Sequence, residues 1–419
     1  MSAPWTPPPR SSEAQAIHAA AEADRAARPE RYRLDPETLL ARALGDADPR
    51  VLGDDDWRPG FERYLASAVE DGRLNALGTR MLADTAVGRL RSRIAMARQR
   101  PAEPARRVVA PIVITGGWRT GTTFLFRMLA TDPRLRAPLP AELAAPWRFA
   151  RFSGAERERA IEAAASRHAL LHTLNPQLAV IHDSGARLPE ECVLAMGTDF
   201  RNWGFPSNTR LDGYAAWLAG ESFSGAYRRY RAMLECLTCD ERRWVLKAPA
   251  HCAELPSLFE AFPDACLVHL HRDIVETIAS GASLFAVFRS TYSDAVDPLD
   301  VGRYVTEQTE LWLERAMAFR DGPAGRGARI VDLDYRALVA DPLGAVRHIY
   351  EAADLDLPPE VVAGFERHRA EHRQHGRHRY DPAQFGLDPG ALRERFRRYE
   401  ERFGLHEREP DAGSRAGGG

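Results

Sequence analysis

Residues 111–129 read PIVITGGWRTGTTFLFRML. The run Pro111 to Thr115 is apolar and of strand length, Gly116, Gly117 and Gly121 follow, and from Thr122 the spacing is that of an amphipathic helix. Strand, glycine loop and helix in this order form the context that a phosphate-binding loop requires. Glycines let the backbone turn and aim its amides inward, while the new helix offers unpaired N–H donors and its positive dipole end. Against the nucleotide-triphosphatase pattern GxxxxGK followed by serine or threonine, Gly116, Gly121 and Thr123 fit, but Thr122 stands where the lysine belongs. Arg119, two residues before the second glycine, supplies a cation that can fork onto a phosphate or sulfate instead. Close packing of a helix would explain the glycines but not the arginine and the two hydroxyls. The missing lysine disfavours ordinary ATP or GTP chemistry.

Working outward, further strand-length apolar runs at Arg243–Leu246, Ala265–Leu270 and Arg329–Leu333 join Val108–Thr115, and helical stretches alternate with them. The expected fold is α/β, a three-layer sandwich of the phosphate-loop type with a central parallel sheet flanked by helices. Helical additions are expected at the N-terminus (residues 1–107) and on the acceptor side, where residues 134–242 show helices but no clear strand. The main domain is read as 108–405 and the glycine-rich end, 406–419, as a disordered tail. In the N-terminal region Ser11–Arg28, Asp35–Leu44 and Phe61–Gln99 carry helical signals, closed by Pro101 and Pro104.

Composition limits the function classes. Lysine plus arginine (57) nearly balance aspartate plus glutamate (59), for a net charge of −2, so no global field draws the chain to nucleic acid or an anionic membrane. With 44% hydrophobic and 28% charged residues the chain reads as globular. No apolar run is long enough for an integral membrane segment and the start, MSAPWTPPPRSSEAQ, lacks a signal-peptide pattern, so a cytoplasmic protein is expected. Five cysteines, including the single pair Cys236 and Cys239, give neither a disulfide framework nor a paired zinc motif, and no metal is expected.

Three segments in order, GGWRTGTT (116–123), RRWVLKAPAH (242–251) and VHLHRDIVETIASGASL (268–284), resemble the sulfotransferases that use 3′-phosphoadenosine 5′-phosphosulfate. DLDYRALVADPLGAVRHIY (332–350) and HRYDPAQFGL (378–387) are similar to a bacterial branch of that family, so the likeness runs from about Ala110 to Leu405. It implies that Arg119, Thr120, Gly121, Thr122 and Thr123 hold the 5′-phosphosulfate, with Gly117 also at the cofactor and Trp118 stacking on its adenine or lining the acceptor cleft. It implies too that Arg272 and Ser280 bind the 3′-phosphate and that Lys247, in LKAP, faces the sulfate or its bridging oxygen. Their placement makes physical sense, since Arg272 ends a strand at the edge where α/β ligands bind and Ser280 lies about two turns into the next helix. The plainer readings are a surface salt bridge for Arg272 and a solvated strand cap for Lys247. The glycine-rich RKG loop of eukaryotic cytosolic members is absent, and the basic run RHRAEHRQHGRHRY (367–380) stands in its place. It reads as a solvated face or as an anionic-ligand lid with His378 and Tyr380 its residues of interest.

Sulfuryl transfer to a hydroxyl, or less readily an amine, requires a general base. Glu142 in LPAEL matches the base of tyrosylprotein-type sulfotransferases. Glu190 and Glu191 in LPEECVL, His182 in VIHDSG and His251 in APAH are the other candidates, although an acid pair after Pro189 is also what a helix dipole favours. Trp118, Trp147, Phe149, Trp203, Phe205, Tyr214 and Trp217 read as core or as an apolar acceptor pocket. The acceptor class is a small molecule, glycan or lipid, and the alternatives are a small-molecule kinase or a nucleotide-binding scaffold without catalysis.

Overall fold

The structure is a computed structural model and describes residues 3–99, 107–181, 184–371 and 381–405. Five strands, β1 (Ile112–Gly116), β2 (Leu135–Arg136), β3 (Arg243–Lys247), β4 (Cys266–His271) and β5 (Arg329–Asp334), form one parallel sheet in the order β2-β3-β1-β4-β5. The first strand lies in the middle, with Ile112 opposite Val245 on one side and Cys266 on the other. Chain order therefore reverses beside β1, which is where an open α/β sheet leaves a ligand crevice at its carboxyl edge.

Both faces of the sheet are covered, which explains why its strands read as unbroken apolar runs. Along β1, Ile112 and Ile114 point to one face and Val113 to the other. The first face packs on Leu125, Phe126 and Leu129 of the loop helix Thr122–Leu129, and on Leu338, Val346 and Phe365 from later helices. The second carries the helices Ile274–Tyr292 and Pro298–Asp321 and, in one continuous core, Trp57, Phe61, Leu82 and Leu90 of the N-terminal helices. The three-layer α/β arrangement expected from the sequence is present.

Three expectations are corrected. The first strand starts at Ile112 rather than Val108, because Ala110 takes a positive φ of 42° and Pro111 has no amide for a ladder. Residues 134–242 do contribute a strand, β2, whose two residues at the sheet edge are too few to show any periodicity. The single helical stretch Phe61–Gln99 is two helices, Arg58–Glu70 and Ala76–Ala97, because Arg73 adopts φ 44° and Asn75 caps the second by accepting from Gly78 N at 2.7 Å. The Asn75 amide also donates to Tyr292 O at 3.0 Å, tying the N-terminal helices to the sheet's second layer. The tail from 406, Pro101 and Pro104 lie outside the described residues. Among the described residues no helix is long and apolar enough to cross a membrane.

Candidate active site

The loop from the end of β1 to the helix Thr122–Leu129 holds three residues at positive φ, Gly116, Arg119 and Gly121. Gly121, at φ 89°, is the N-cap of that helix, a left-handed conformation that a side chain would strain. A Cβ on Gly117 would lie 2.5 Å from Thr277 Cγ2, so the loop rests directly on the helix Ile274–Tyr292. Arg119 itself sits at φ 60°, at a cost of roughly 1–2 kcal/mol for a non-glycine residue. Two contacts hold it there: its Nη1 donates to Ile181 O at 2.8 Å, and its carbonyl accepts from Arg272 Nη1 at 2.6 Å. Thr120, assigned to the ligand by resemblance, is buried instead and donates its hydroxyl to Gly117 O at 2.8 Å, bracing the turn.

Over this loop opens a cleft of about 700 Å³. Trp118, Arg119, Gly121, Thr122 and Thr123 contribute to its floor, and Glu191, Arg272 and Pro249 close in from the neighbouring elements. Trp118 gives the cleft only its rim; most of the ring is core, 5.2 Å from Phe285 and 5.3 Å from Trp312. Trp203, Phe205 and Tyr214 are core as well.

Lys247 ends β3 and is almost fully buried, so its ammonium must find partners inside. It has two: Glu191 Oε1 at 2.6 Å and Thr123 Oγ1, on the first turn of the loop helix, at 3.3 Å. The solvated strand cap is therefore excluded for this lysine. Thr123 and Glu191 line the cleft, and the buried Lys247 ammonium meets both from behind its wall rather than lining it.

Arg272 follows β4 and lines the cleft, with its guanidinium 4.2 Å above the ring of Tyr335. Nε and Nη2 donate to Glu276 Oε2 at 2.8 and 2.5 Å, so the surface ion pair and the cleft position coexist. Ser280 is buried, does not line the cleft, and among the described residues its hydroxyl has no partner; Thr277 Oγ1, beside Gly117, is in the same condition.

The candidate bases separate clearly. Glu191 reaches the cleft, whereas its neighbour Glu190 is buried and turns one carboxylate oxygen back to the Glu191 amide at 2.9 Å. Glu142 is set apart from the cleft. It is buried in the first turn of its own short helix, accepts from Leu139 N at 2.9 Å, and is paired with Arg136 at 3.0 Å and with Arg157. Such a carboxylate has its acceptor sites filled by structural donors. His251 is fully buried, its Nδ1 lies 2.7 Å from the Tyr227 hydroxyl, and burial pushes its pKa down to about 3. His182, His378 and Tyr380 lie outside the described residues.

Several contributors were not singled out from the sequence, among them two from each of two later helices. Tyr335 and Leu338 come from the helix just after β5, and Glu366 and Arg369 from the helix Pro359–Glu371. The first two lie in the DLDYRALV stretch, where the position directly after a strand's carboxyl end was the available signal. Arg369 lay inside the basic run and was not distinguishable from its neighbours there.

Residues 111–359 match the sequence model of the sulfotransferase family. The omega-hydroxy-beta-dihydromenaquinone-9 sulfotransferase Stf3 of Mycobacterium tuberculosis is 26% identical over 270 residues, covering 58% of this chain and 62% of the relative. Its namesake in Mycobacterium bovis gives the same figures. The chain thus spans 62% of the length of the curated relatives it matches. Among solved structures, sulfotransferase STF9 from Mycobacterium avium is 25% identical with a TM-score of 0.76, over 90% of this chain and 97% of that one. Sulfotransferase STF1 from Mycobacterium tuberculosis is 25% identical with a TM-score of 0.69, over 91% and 97%.

Proposed function

This chain belongs to the sulfotransferase family, and we propose on that footing that its cleft moves a sulfuryl group from 3′-phosphoadenosine 5′-phosphosulfate to a hydroxyl of an apolar small molecule or lipid. The observation that carries the proposal is the meeting of Lys247, Thr123 and Glu191 at the N-terminus of the loop helix. When bound, the donor supplies an activated sulfuryl group on a phosphate leaving group. The residues fit such an anion: loop amides, a helix N-terminus and Arg119 on the floor, and Arg272 at the side.

Roles follow from position. Glu191 accepts the proton that the acceptor hydroxyl loses as its oxygen attacks sulfur. Lys247 and the Thr123 hydroxyl hold the charge that builds on the phosphate oxygen as the sulfur–oxygen bond breaks. The loop amides and Arg119 orient the sulfated end. Arg272, stiffened by Tyr335 and Glu276, holds the far phosphate. Ile181, Leu284, Leu338 and Val339 give the cleft apolar walls, which favour a hydrocarbon-bearing alcohol over a glycan. The menaquinone-type substrate in the name of the mycobacterial relative supports that class. Incubation with the donor and a panel of long-chain and polyprenyl alcohols, read by mass spectrometry, tests the reading. A sulfate ester from apolar alcohols and none from sugars is expected; esters from sugars alone would overturn the acceptor class.

A further inference from the structure

We infer that a second face of the protein, which shares no lining residue with the cleft, docks on an anionic phospholipid surface. The C-terminal half of the helix Ala76–Ala97, the residues just after it and the short helix Pro146–Phe149 enclose an open groove of about 510 Å³. Four arginines line it, Arg91, Arg98, Arg148 and Arg151, together with Trp147 and Phe152, and among the described residues no acidic residue does. All four arginines are exposed and both aromatic rings half-buried. The chain carries more acids than bases, and most of its other surface arginines, such as Arg42 with Asp84, sit in ion pairs. Among the described residues, no carboxylate pairs with any of these four. Arg91 is held by the Arg42 carbonyl at 2.9 Å, and the Arg148 guanidinium lies 5.3 Å from the Phe152 ring centroid.

Among the described residues this charge has no paired carboxylate even though the whole chain is slightly acidic, so a patch field exists where a global one does not. Guanidiniums match phosphate by bidentate hydrogen bonding. Tryptophan and phenylalanine at the same groove favour an interface of headgroups and acyl chains over a purely ionic ligand. Charge complementarity together with these rings selects a bilayer rich in anionic lipid as the partner. The inference does not depend on the donor or the acceptor, and it stands or falls separately from sulfuryl transfer.

The test is co-sedimentation of the full chain with phosphatidylcholine vesicles, with and without phosphatidylglycerol. Binding to the anionic vesicles alone is expected, released by salt over the range where screening becomes strong. The double substitution Arg148→Ala with Arg151→Ala should weaken it by at least about tenfold, since each basic residue near such a surface is worth several-fold in partitioning. Because these side chains are exposed, the melting temperature should not change, and Trp147→Ala gives a second variant that alters no charge. Equal binding to pure phosphatidylcholine, binding unaffected by the double substitution, or full displacement by millimolar inorganic phosphate or by an oligonucleotide would each overturn the inference.

Discussion

The Lys247 ammonium lies 2.6 Å from Glu191 Oε1 and 3.3 Å from Thr123 Oγ1, so one buried cation ties the acid of an inserted segment to the first turn of the phosphate-loop helix. Burying an ammonium is tolerable only with such partners, and both of them, Glu191 and Thr123, line the cleft. Lys247→Met keeps the apolar stem and removes the charge. Turnover should fall by about 10²–10³, the usual effect of removing one oriented donor from a developing oxyanion. Steady-state kinetics with the donor and an active alcohol check this.

Glu191→Gln preserves a hydrogen-bond acceptor for Lys247 but cannot take up a proton. We expect kcat to drop by about 10²–10⁴ with the donor dissociation constant nearly unchanged. A change confined to donor affinity would mean that Glu191 only positions Lys247.

Glu142 makes the opposite prediction. It is buried between Arg136 and Arg157 and caps its own helix, so Glu142→Ala leaves guanidiniums without their partner. Stability should fall by about 3–5 kcal/mol in denaturant titrations. The folded fraction should still bind nucleotide with its original affinity.

Arg272→Ala should weaken nucleotide binding on the order of tenfold to a hundredfold, as charge-assisted contacts of about 1.5–3 kcal/mol are lost. Its ion pair is with the exposed Glu276, and such pairs contribute at most about 1 kcal/mol, so the melting temperature should hardly move. A large loss of melting temperature with intact affinity would instead make Arg272 a brace for the Arg119 carbonyl.

The buried histidines should each make acid destabilising. His251 is held neutral by burial, with its pKa pushed down to about 3, and His269 and His271 are also lowered chiefly by burial. Below about pH 6.5 these histidines bind protons in the unfolded chain but not in the folded one, so their contribution to stability falls as pH falls, His251's down to about pH 3; the buried Glu254, raised to about 7, acts in the opposite sense between about pH 7 and 4.5. His251→Asn, which can keep a bond to the Tyr227 hydroxyl, should reduce the slope of unfolding free energy against pH by about one proton in that range.

Much of this was legible in the sequence because the loop's backbone demands glycine and the strands are buried on both faces. Gly116, Gly117 and Gly121 could be read directly, as could the strands after them, and Lys247 and Arg272 stood at strand ends. What could not be read was the side-chain pairing across the fold. Glu142 and Glu191 both follow a proline by a few residues, and nothing local says that two arginines, one of them 15 residues further on, will fill the first and a strand-end lysine will meet the second. Thr120 and Ser280 match the expected positions in sequence but point into the protein, because the loop turns at Arg119 and the helix from Ile274 presents Ser280 to the core. The two-residue strand β2 carries too little periodicity for any pattern to find.

The most direct test of the account is calorimetric titration with 3′-phosphoadenosine 5′-phosphate beside ATP with magnesium, at one salt concentration. A loop that has Thr122 in the lysine position, flanked by Arg119 and Arg272, should bind the bisphosphate tightly and ATP weakly. Tighter binding of ATP would contradict the account and make the cleft a phosphoryl-transfer site.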